Sequence, residues 1–145
     1  MPTPAPNSGQ QQLAALLAAF QTGADDVRRL FAETAVIEFP YAASVGTPGR
    51  LTLPEYYQYL SQVLPTMPQL TYDGVRVYPL QATGEYFAEL RAATTVPRTG
   101  RRYEQQYVLY FTLIDGHFTH YREYWNPVPW LRAFGGEQAL HDTLT

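Results

Sequence analysis

The stretch His117–Trp130, HFTHYREYWNPVPW, decides how the rest of the chain is arranged. It follows an Asp115-Gly116 turn and is typical of a strand that stops before Pro127, because proline cannot donate a hydrogen bond to a sheet. Side chains alternate between the two faces of a strand. One face would carry Thr119, Tyr121, Glu123 and Trp125, and the other Phe118, His120, Arg122 and Tyr124.

Glu123 is the residue of interest, because it is a carboxylate between large aromatic side chains. Two interpretations are open. In the first, it caps a backbone group or pairs with an arginine at the rim of the sheet. In the second, apolar neighbours raise its pKa, since burial disfavours the charged form. A carboxyl group of that second kind is suited to proton transfer.

Length and composition indicate one domain in a chain of 145 residues, of which 46% are hydrophobic and 16% charged. Residues 1–12 are predicted to be a disordered tail, and 13–145 a single domain. The ten basic residues are scattered arginines and the net charge is -3, which argues against a nucleic-acid partner. Neither a secretory leader nor a membrane-spanning run is recognisable, and the absence of cysteine fits the cytoplasm.

Hydrophobic periodicity and turn residues predict an α+β fold. A cone-like, curved antiparallel sheet of four long strands and one short one would pack on three N-terminal helices, with a short C-terminal helix. A capping box, Thr52 to Glu55, opens the third helix. The predicted helices are 13–22, 25–33, 53–64 and 128–134, and the strands are 35–39, 70–80, 85–96, 102–114 and 117–126.

The register of the last hairpin decides what lies beside Glu123. A plain two-residue turn would place the even-numbered residues of strand 102–114 there, whereas a bulge at Gly116 would place the odd-numbered ones. The odd set, Tyr103 to Leu113, is the more apolar, and we expect it to face the helices. The opposite face is then expected to form a homodimer, unless its aromatic residues are simply exposed. The predicted dimer face consists of Val108, Tyr110, Phe118 and Tyr124.

Three segments carry a resemblance to a known superfamily: VIEFP at Val36–Pro40, the DGHF turn, and the final YREYWNPVPWLRAFGG. Together they resemble the nuclear-transport-factor-2-like superfamily, which contains ketosteroid isomerases and SnoaL-like polyketide cyclases. The tail is most similar to the phenazine biosynthesis A/B family. The resemblance implies a cone-shaped fold around a pocket and leaves the activity open, since members include isomerases, cyclases, hydrolases and adaptors.

Transfer of family residues one at a time narrows the chemistry. Glu123 resembles the terminal-strand glutamate that acts as a general acid in the phenazine family, whose third-helix histidine falls near Tyr59. The ketosteroid isomerase base and oxyanion-hole aspartate fall at Phe39 and Tyr107, so the usual steroid isomerisation is not expected. The epoxide hydrolase pattern also fails, because its arginine and second aspartate fall at Leu90 and Ala92.

Glu38 and Glu123 are the predicted catalytic pair. If both line the cavity, repulsion between them would raise one pKa and give an acid and a base in one site. Alternatively, Glu38 is a rim carboxylate paired with Arg50. Hydroxyl and amide donors would hold a substrate oxygen. For any single tyrosine, however, ordinary packing in the core or at the rim is the favoured interpretation. The predicted substrate-binding residues are Tyr121, Trp125, Tyr107, Gln105, Tyr41, Tyr59 and Phe111.

No metal or cofactor is predicted. His117, His120 and Glu123 are spaced by three, so on a strand His120 points away from the other two. The sequence therefore favours a cofactor-independent isomerase or cyclase that acts by acid/base proton transfer on a hydrophobic carbonyl-containing or aromatic compound. The alternative is a non-catalytic ligand-binding protein or dimeric adaptor with the same fold.

Overall fold

The computed structural model describes residues 8–135 and has the predicted α+β architecture, a curved sheet with helices against one face. The helices are α1 (Ser8–Thr22), α2 (Ala24–Arg28), α3 (Leu53–Val63) and α4 (Pro127–Phe134), with short 3-10 helices at Ala42–Val45 and Leu64–Thr66. The strands are β1 (Phe31–Glu38), β2 (Arg50–Thr52), β3 (Thr71–Pro79), β4 (Glu85–Val96), β5 (Arg101–Ile114) and β6 (His117–Trp125).

The sheet has six strands in the order β2-β1-β6-β5-β4-β3. It is mixed rather than wholly antiparallel, because β1 runs parallel to β6. Strand β2 was not predicted, and it pairs with the outer edge of β1. The long chain segment between β1 and β6 contains α3 and strands β2 to β5, and parallel neighbours require a long connection of this kind. None of the helices within residues 8–135 is long and apolar enough to cross a membrane.

The N-terminal helix begins earlier than expected. Since α1 starts at Ser8, the predicted tail 1–12 is too long, and residues 1–7 lie outside the described part of the chain. A Cβ atom on Gly9 would lie 2.4 Å from the ring of Tyr86, so the first turn of α1 packs closely on β4 at a residue without a side chain. A stretch of glycine and glutamine carries no apolar periodicity, and this contact therefore left no signal in the sequence.

The second helix and first strand also differ from expectation. Helix α2 ends at Arg28 instead of continuing to residue 33, and β1 begins at Phe31. Phe31 is buried against Tyr56 of α3 and stacks on Phe118 of β6, with 5.0 Å between the latter ring centres. Tertiary packing in the sheet therefore takes precedence over the helical pattern of this segment.

A bulge in the last hairpin sets which side chains face the helices. Asp115 and Gly116 both have positive φ angles, 51° and 78°, and form a tight two-residue turn. The bulge lies beyond this turn. Leu113 pairs with Phe118 while Thr112 pairs with His120, which leaves Thr119 as the extra residue. The prediction of a bulge at Gly116 was thus wrong in position.

The consequences of this bulge are mixed. Leu109 pairs with Glu123, so the odd-numbered residues of β5 lie beside Glu123 as predicted. Phe118, however, is turned inward and is fully buried, and its assignment to the outer face was wrong. On β4 the even-numbered residues are buried. The capping box is confirmed, with Glu55 N donating to Thr52 Oγ1 over 3.3 Å and Thr52 N donating to Glu55 Oε1 over 2.9 Å.

Candidate active site

A cavity lies between the inner face of the sheet and helices α1 and α3, and α4 covers one end of it. It encloses about 70 Å³, which is room for several waters or for part of a small organic molecule. Its wall is mostly apolar, and Ala92 of β4 is among the small residues that leave space. The hydroxyl and carboxyl groups that the described residues place on the wall belong to six tyrosines and one glutamate: Tyr56, Tyr59, Tyr72, Tyr103, Tyr107, Tyr121 and Glu123.

Glu123 is placed on the wall by β6, opposite Leu109 of β5. The residue is half-buried because it borders the cavity, while protein encloses its carboxyl group. Tyr121 Oη donates a hydrogen bond to Glu123 Oε1 over 2.8 Å. Burial raises the pKa of Glu123 to about 7, and the bond from Tyr121 only partly offsets it. No arginine, lysine or histidine of the described residues lines the cavity to oppose that rise.

The phenol groups of the cavity remain protonated. Burial raises the pKa of each of the six tyrosines, and the charge of Glu123 raises it further. For Tyr103 the result is a pKa of about 12, because its hydrogen bonds with Tyr107 and Gln105 partly oppose the effect of burial. The hydroxyl oxygens of Tyr103 and Tyr107 lie 2.8 Å apart. The cavity is therefore a set of neutral donors around one carboxyl group.

Glu38 lies outside this cavity, so the predicted Glu38–Glu123 pair was wrong. It pairs with Arg122 in the register between β1 and β6 and therefore faces the outer side of the sheet. There it bonds to His120 Nε2, and Arg122 Nη2 lies 3.7 Å from its Oε1. Burial raises the pKa of Glu38, but the bond to His120 and the charges of His120, Arg122 and Arg50 outweigh burial and lower it. The alternative of an ion-paired carboxylate describes Glu38 better, although its contacts are with His120 and Arg122 and not with the expected Arg50.

The other predicted residues divide into two groups. Tyr59, Tyr107, Tyr121 and Trp125 line the cavity, and their part in binding stays a prediction. Three residues do not line it, and their assignment to the wall was wrong. Tyr41 is 52% exposed on the outer side, Phe111 is fully buried against Tyr86, and Gln105 is buried behind the wall with bonds to Tyr103 and Asn126.

Sequence reasoning missed several residues of the wall. Tyr56 lies one helical turn before Tyr59 in α3, so helical spacing could have found it. Tyr103 was placed on the correct face but was given no role. Met67 and Trp130 left no comparable signal in the sequence. Met67 follows the short 3-10 helix after α3 and Trp130 lies in α4, and both reach the wall only through tertiary packing against the core.

Comparison with known proteins now identifies the family. The family model for the SnoaL-like domain matches residues 12–121, most of the chain. The chain belongs to the SnoaL-like family. This membership, with its structural neighbours, confirms the expected nuclear-transport-factor-2-like fold. A relative in Bacillus subtilis (strain 168), the uncharacterized protein YesE, is 33% identical over 108 residues, which are 74% of this chain and 73% of the relative.

Two crystal structures illustrate the similarity of this SnoaL-like protein to others. One is a Bacillus subtilis protein whose name proposes an isomerase, with a TM-score of 0.78, 29% identity, and coverage of 90% of this chain and 97% of that one. The other is a phenazine biosynthesis-related protein from Pseudomonas aeruginosa, with a TM-score of 0.66 and 17% identity over 85% of this chain and 84% of that one. The second similarity concerns the fold alone.

Proposed function

We propose that the protein binds a small hydrophobic compound with a carbonyl group in the cavity and catalyses proton transfer next to that carbonyl, as an isomerase or cyclase without a cofactor. Glu123 is the acid/base group. The observation that supports this most directly is the position of the Glu123 carboxyl group on the cavity wall, where burial raises its pKa to about 7 and no arginine, lysine or histidine from residues 8–135 lines the wall.

A pKa near 7 suits both halves of such a reaction. As carboxylate, Glu123 removes a proton from the carbon beside the carbonyl. The C–H electrons form a carbon–carbon double bond, and the π electrons of the carbonyl move to its oxygen and give an enolate. As carboxylic acid, it returns the proton to another carbon or to oxygen. A catalytic group is most effective when its pKa is close to the working pH.

The phenols supply donors for the enolate oxygen. The Tyr103–Tyr107 pair has two hydroxyl hydrogens and uses one between its members, so one remains for a ligand. Tyr56, Tyr59 and Tyr72 have no hydrogen bond to another described residue through their hydroxyl groups. Donors placed where negative charge develops stabilise a transition state. The hydroxyl donors of these tyrosines favour a ligand that carries oxygen over a plain hydrocarbon.

The comparisons support the class of reaction only broadly. The 29%-identical Bacillus subtilis structure carries an isomerase name.

The second candidate function is a ligand carrier without catalysis, in which Glu123 only orients the ligand. The bond from Tyr121 favours it, because a fixed carboxyl group also serves recognition. The cavity argues against a purely structural adaptor, whose cone would be filled by side chains.

Hydrogen–deuterium exchange tests the proposal without knowledge of the natural substrate. Cyclohexanone, acetophenone and 2-tetralone, ketones of increasing size, are incubated in D₂O with the protein, and loss of the α-proton signal is followed by NMR. We expect faster exchange than in buffer for those that fit, with a rate that rises with pH through about 7 because the carboxylate is the base. Glu123→Gln should lower the rate by about 10²-fold or more.

Glu38→Gln is the matched control, since it makes the same change in a carboxyl group on the other face of the sheet. It should exchange at the wild-type rate. Retention of full exchange in Glu123→Gln would exclude Glu123 as the base. Binding of these ketones with no acceleration in the wild type would support the carrier instead.

We also propose a homodimer through the outer sheet face. Val108, Tyr110 and Tyr124 are half-buried there and border an open groove, whereas Phe118 is not available. Val108→Asp should convert the dimer to monomer, because a charge in an apolar interface is costly. Light scattering after size exclusion measures the mass, and a wild-type mass of 16.4 kDa would contradict the proposal.

A further inference from the structure

The buried side chain of Gln105 has a fixed orientation. It is 3% exposed and lies behind the cavity wall. Its Oε1 accepts from the backbone N–H of Asn126 over 3.1 Å, and its Nε2 donates to the backbone carbonyl of Asn126 over 2.9 Å. A backbone N–H can only donate and a carbonyl can only accept, so these two bonds determine which end of the amide is nitrogen.

The second hydrogen on Gln105 Nε2 reaches the cavity hydroxyls. It is donated to Tyr103 Oη over 3.2 Å, and both hydrogens of the amide nitrogen are then used. Tyr103 Oη therefore acts as an acceptor toward Gln105. Either hydroxyl can be the donor in the 2.8 Å contact between Tyr103 and Tyr107. Donation from Tyr103 continues the direction of the bond from Gln105, and a donor whose oxygen already accepts a bond is the stronger one.

We propose that Gln105 is a positioning residue that sets the direction of the Tyr103–Tyr107 pair, so that Tyr107 presents its hydroxyl hydrogen to the ligand. Hydrogen bonds run from the Gln105 amide to Tyr103, from Tyr103 to Tyr107, and from Tyr107 into the cavity. Donors aligned in one direction polarise each other and strengthen the last bond. This inference rests on the proposed function of the cavity and identifies Tyr107 as the donor to the substrate oxygen.

The same amide connects the hydroxyl pair to the helix that covers the cavity. Asn126 is the N-cap of α4, and its side chain accepts from Val128 N over 3.0 Å. Trp130 of α4 lines the cavity. At the other end, Thr99 Oγ1 donates to the carbonyl of Ala133 over 2.6 Å. Helix α4 is thus held at both ends. Gln105 therefore links the position of Trp130 to the direction of the hydroxyl hydrogen bonds.

NMR of protein labelled at the Cζ carbon of tyrosine tests the direction without any ligand, and Tyr107→Phe assigns the Tyr107 signal. Gln105→Met removes both donors with little change in volume, and Tyr103 is then free to accept from Tyr107. We expect the Tyr107 signal to move, although Gln105 does not contact Tyr107. Gln106→Met is the control, because this neighbouring glutamine is exposed and its substitution should leave the Tyr107 signal in place.

An unchanged Tyr107 signal in folded Gln105→Met, or an equal movement in Gln106→Met, would overturn the proposal and leave Gln105 as a support for the start of α4. If Gln105→Met does not fold, Gln105→Glu keeps the bond accepted from Asn126 N, loses the donors when ionised, and is judged by the same signal. Since no ligand takes part, failure here is distinct from failure of ketone exchange, which tests the proposed function.

Discussion

Glu38 and Glu123 lie on neighbouring strands of one sheet and have opposite properties. Glu38, on the outer face, is bonded to His120 and lies near Arg122, and its pKa is lowered. Glu123, on the inner face, has a tyrosine hydroxyl as its partner and a pKa raised to about 7. The side of the sheet, and not the residue type, therefore decides whether a carboxyl group is an ion-pair member or a candidate proton carrier.

The largest expected effect tests the division between the two faces. Phe118→Ala should lower the free energy of unfolding by about 3–5 kcal/mol, because Phe118 is fully buried. Tyr110→Ala, on the outer face beside Arg122, should cost roughly 1 kcal/mol. Urea denaturation of both variants at low protein concentration measures the difference. A loss below 1 kcal/mol for Phe118→Ala would contradict the inward turn of β6 at Thr119.

An intermediate effect is expected from the pH dependence of Glu123. Its folded-state pKa is raised from 4.5 to about 7, so between these values the folded state binds more protons than the unfolded state. Stability is therefore lost as pH rises through this window, by about 3 kcal/mol in all. Glu123→Gln should match the wild type near pH 4.5 and exceed its stability by about that amount at pH 8. Parallel stability curves for the two proteins would show that the carboxyl group is not enclosed.

The smallest effect on stability is expected at Glu38, and its dependence on pH has the opposite sign to that of Glu123. Because its folded-state pKa is lowered, its contribution is present above its unfolded pKa and is lost as pH falls through the lowered value. Glu38→Gln should cost less than about 1 kcal/mol at pH 7, since the pair is partly exposed. Salt should reduce that cost. A gain in stability for Glu38→Gln would mean that burial outweighs its partners.

Much of the fold was readable because it depends on local patterns. The capping box at Thr52, the alternation along β4, and the hairpin turn at Asp115 are all set by neighbours within a few residues. The inward position of Glu123 was also predicted, from the apolar character of the facing strand. The parallel pairing of β1 with β6 was not, because it depends on residues more than eighty positions apart.

The candidate site was only partly predictable for the same reason. The alternation of side chains along β6 identified Glu123, Tyr121 and Trp125. A bulge interrupts that alternation at Thr119, and Phe118 was therefore assigned to the wrong face. Glu38 could not be placed, since its face depends on the register with Arg122 of a distant strand. Gln105 was correctly directed inward, yet only its bonds to Asn126 show that it supports the wall.

The sequence by itself determined the class of fold, its long strands and the presence of a carboxyl group among aromatic side chains, since these follow from residue periodicity. Tertiary structure alone decided the environment of each polar group, namely the cations around Glu38, the phenols around Glu123 and the amide behind Tyr103. The physical reason is that pKa and hydrogen-bond direction depend on atoms within a few ångströms in space, and most of those atoms belong to distant parts of the chain.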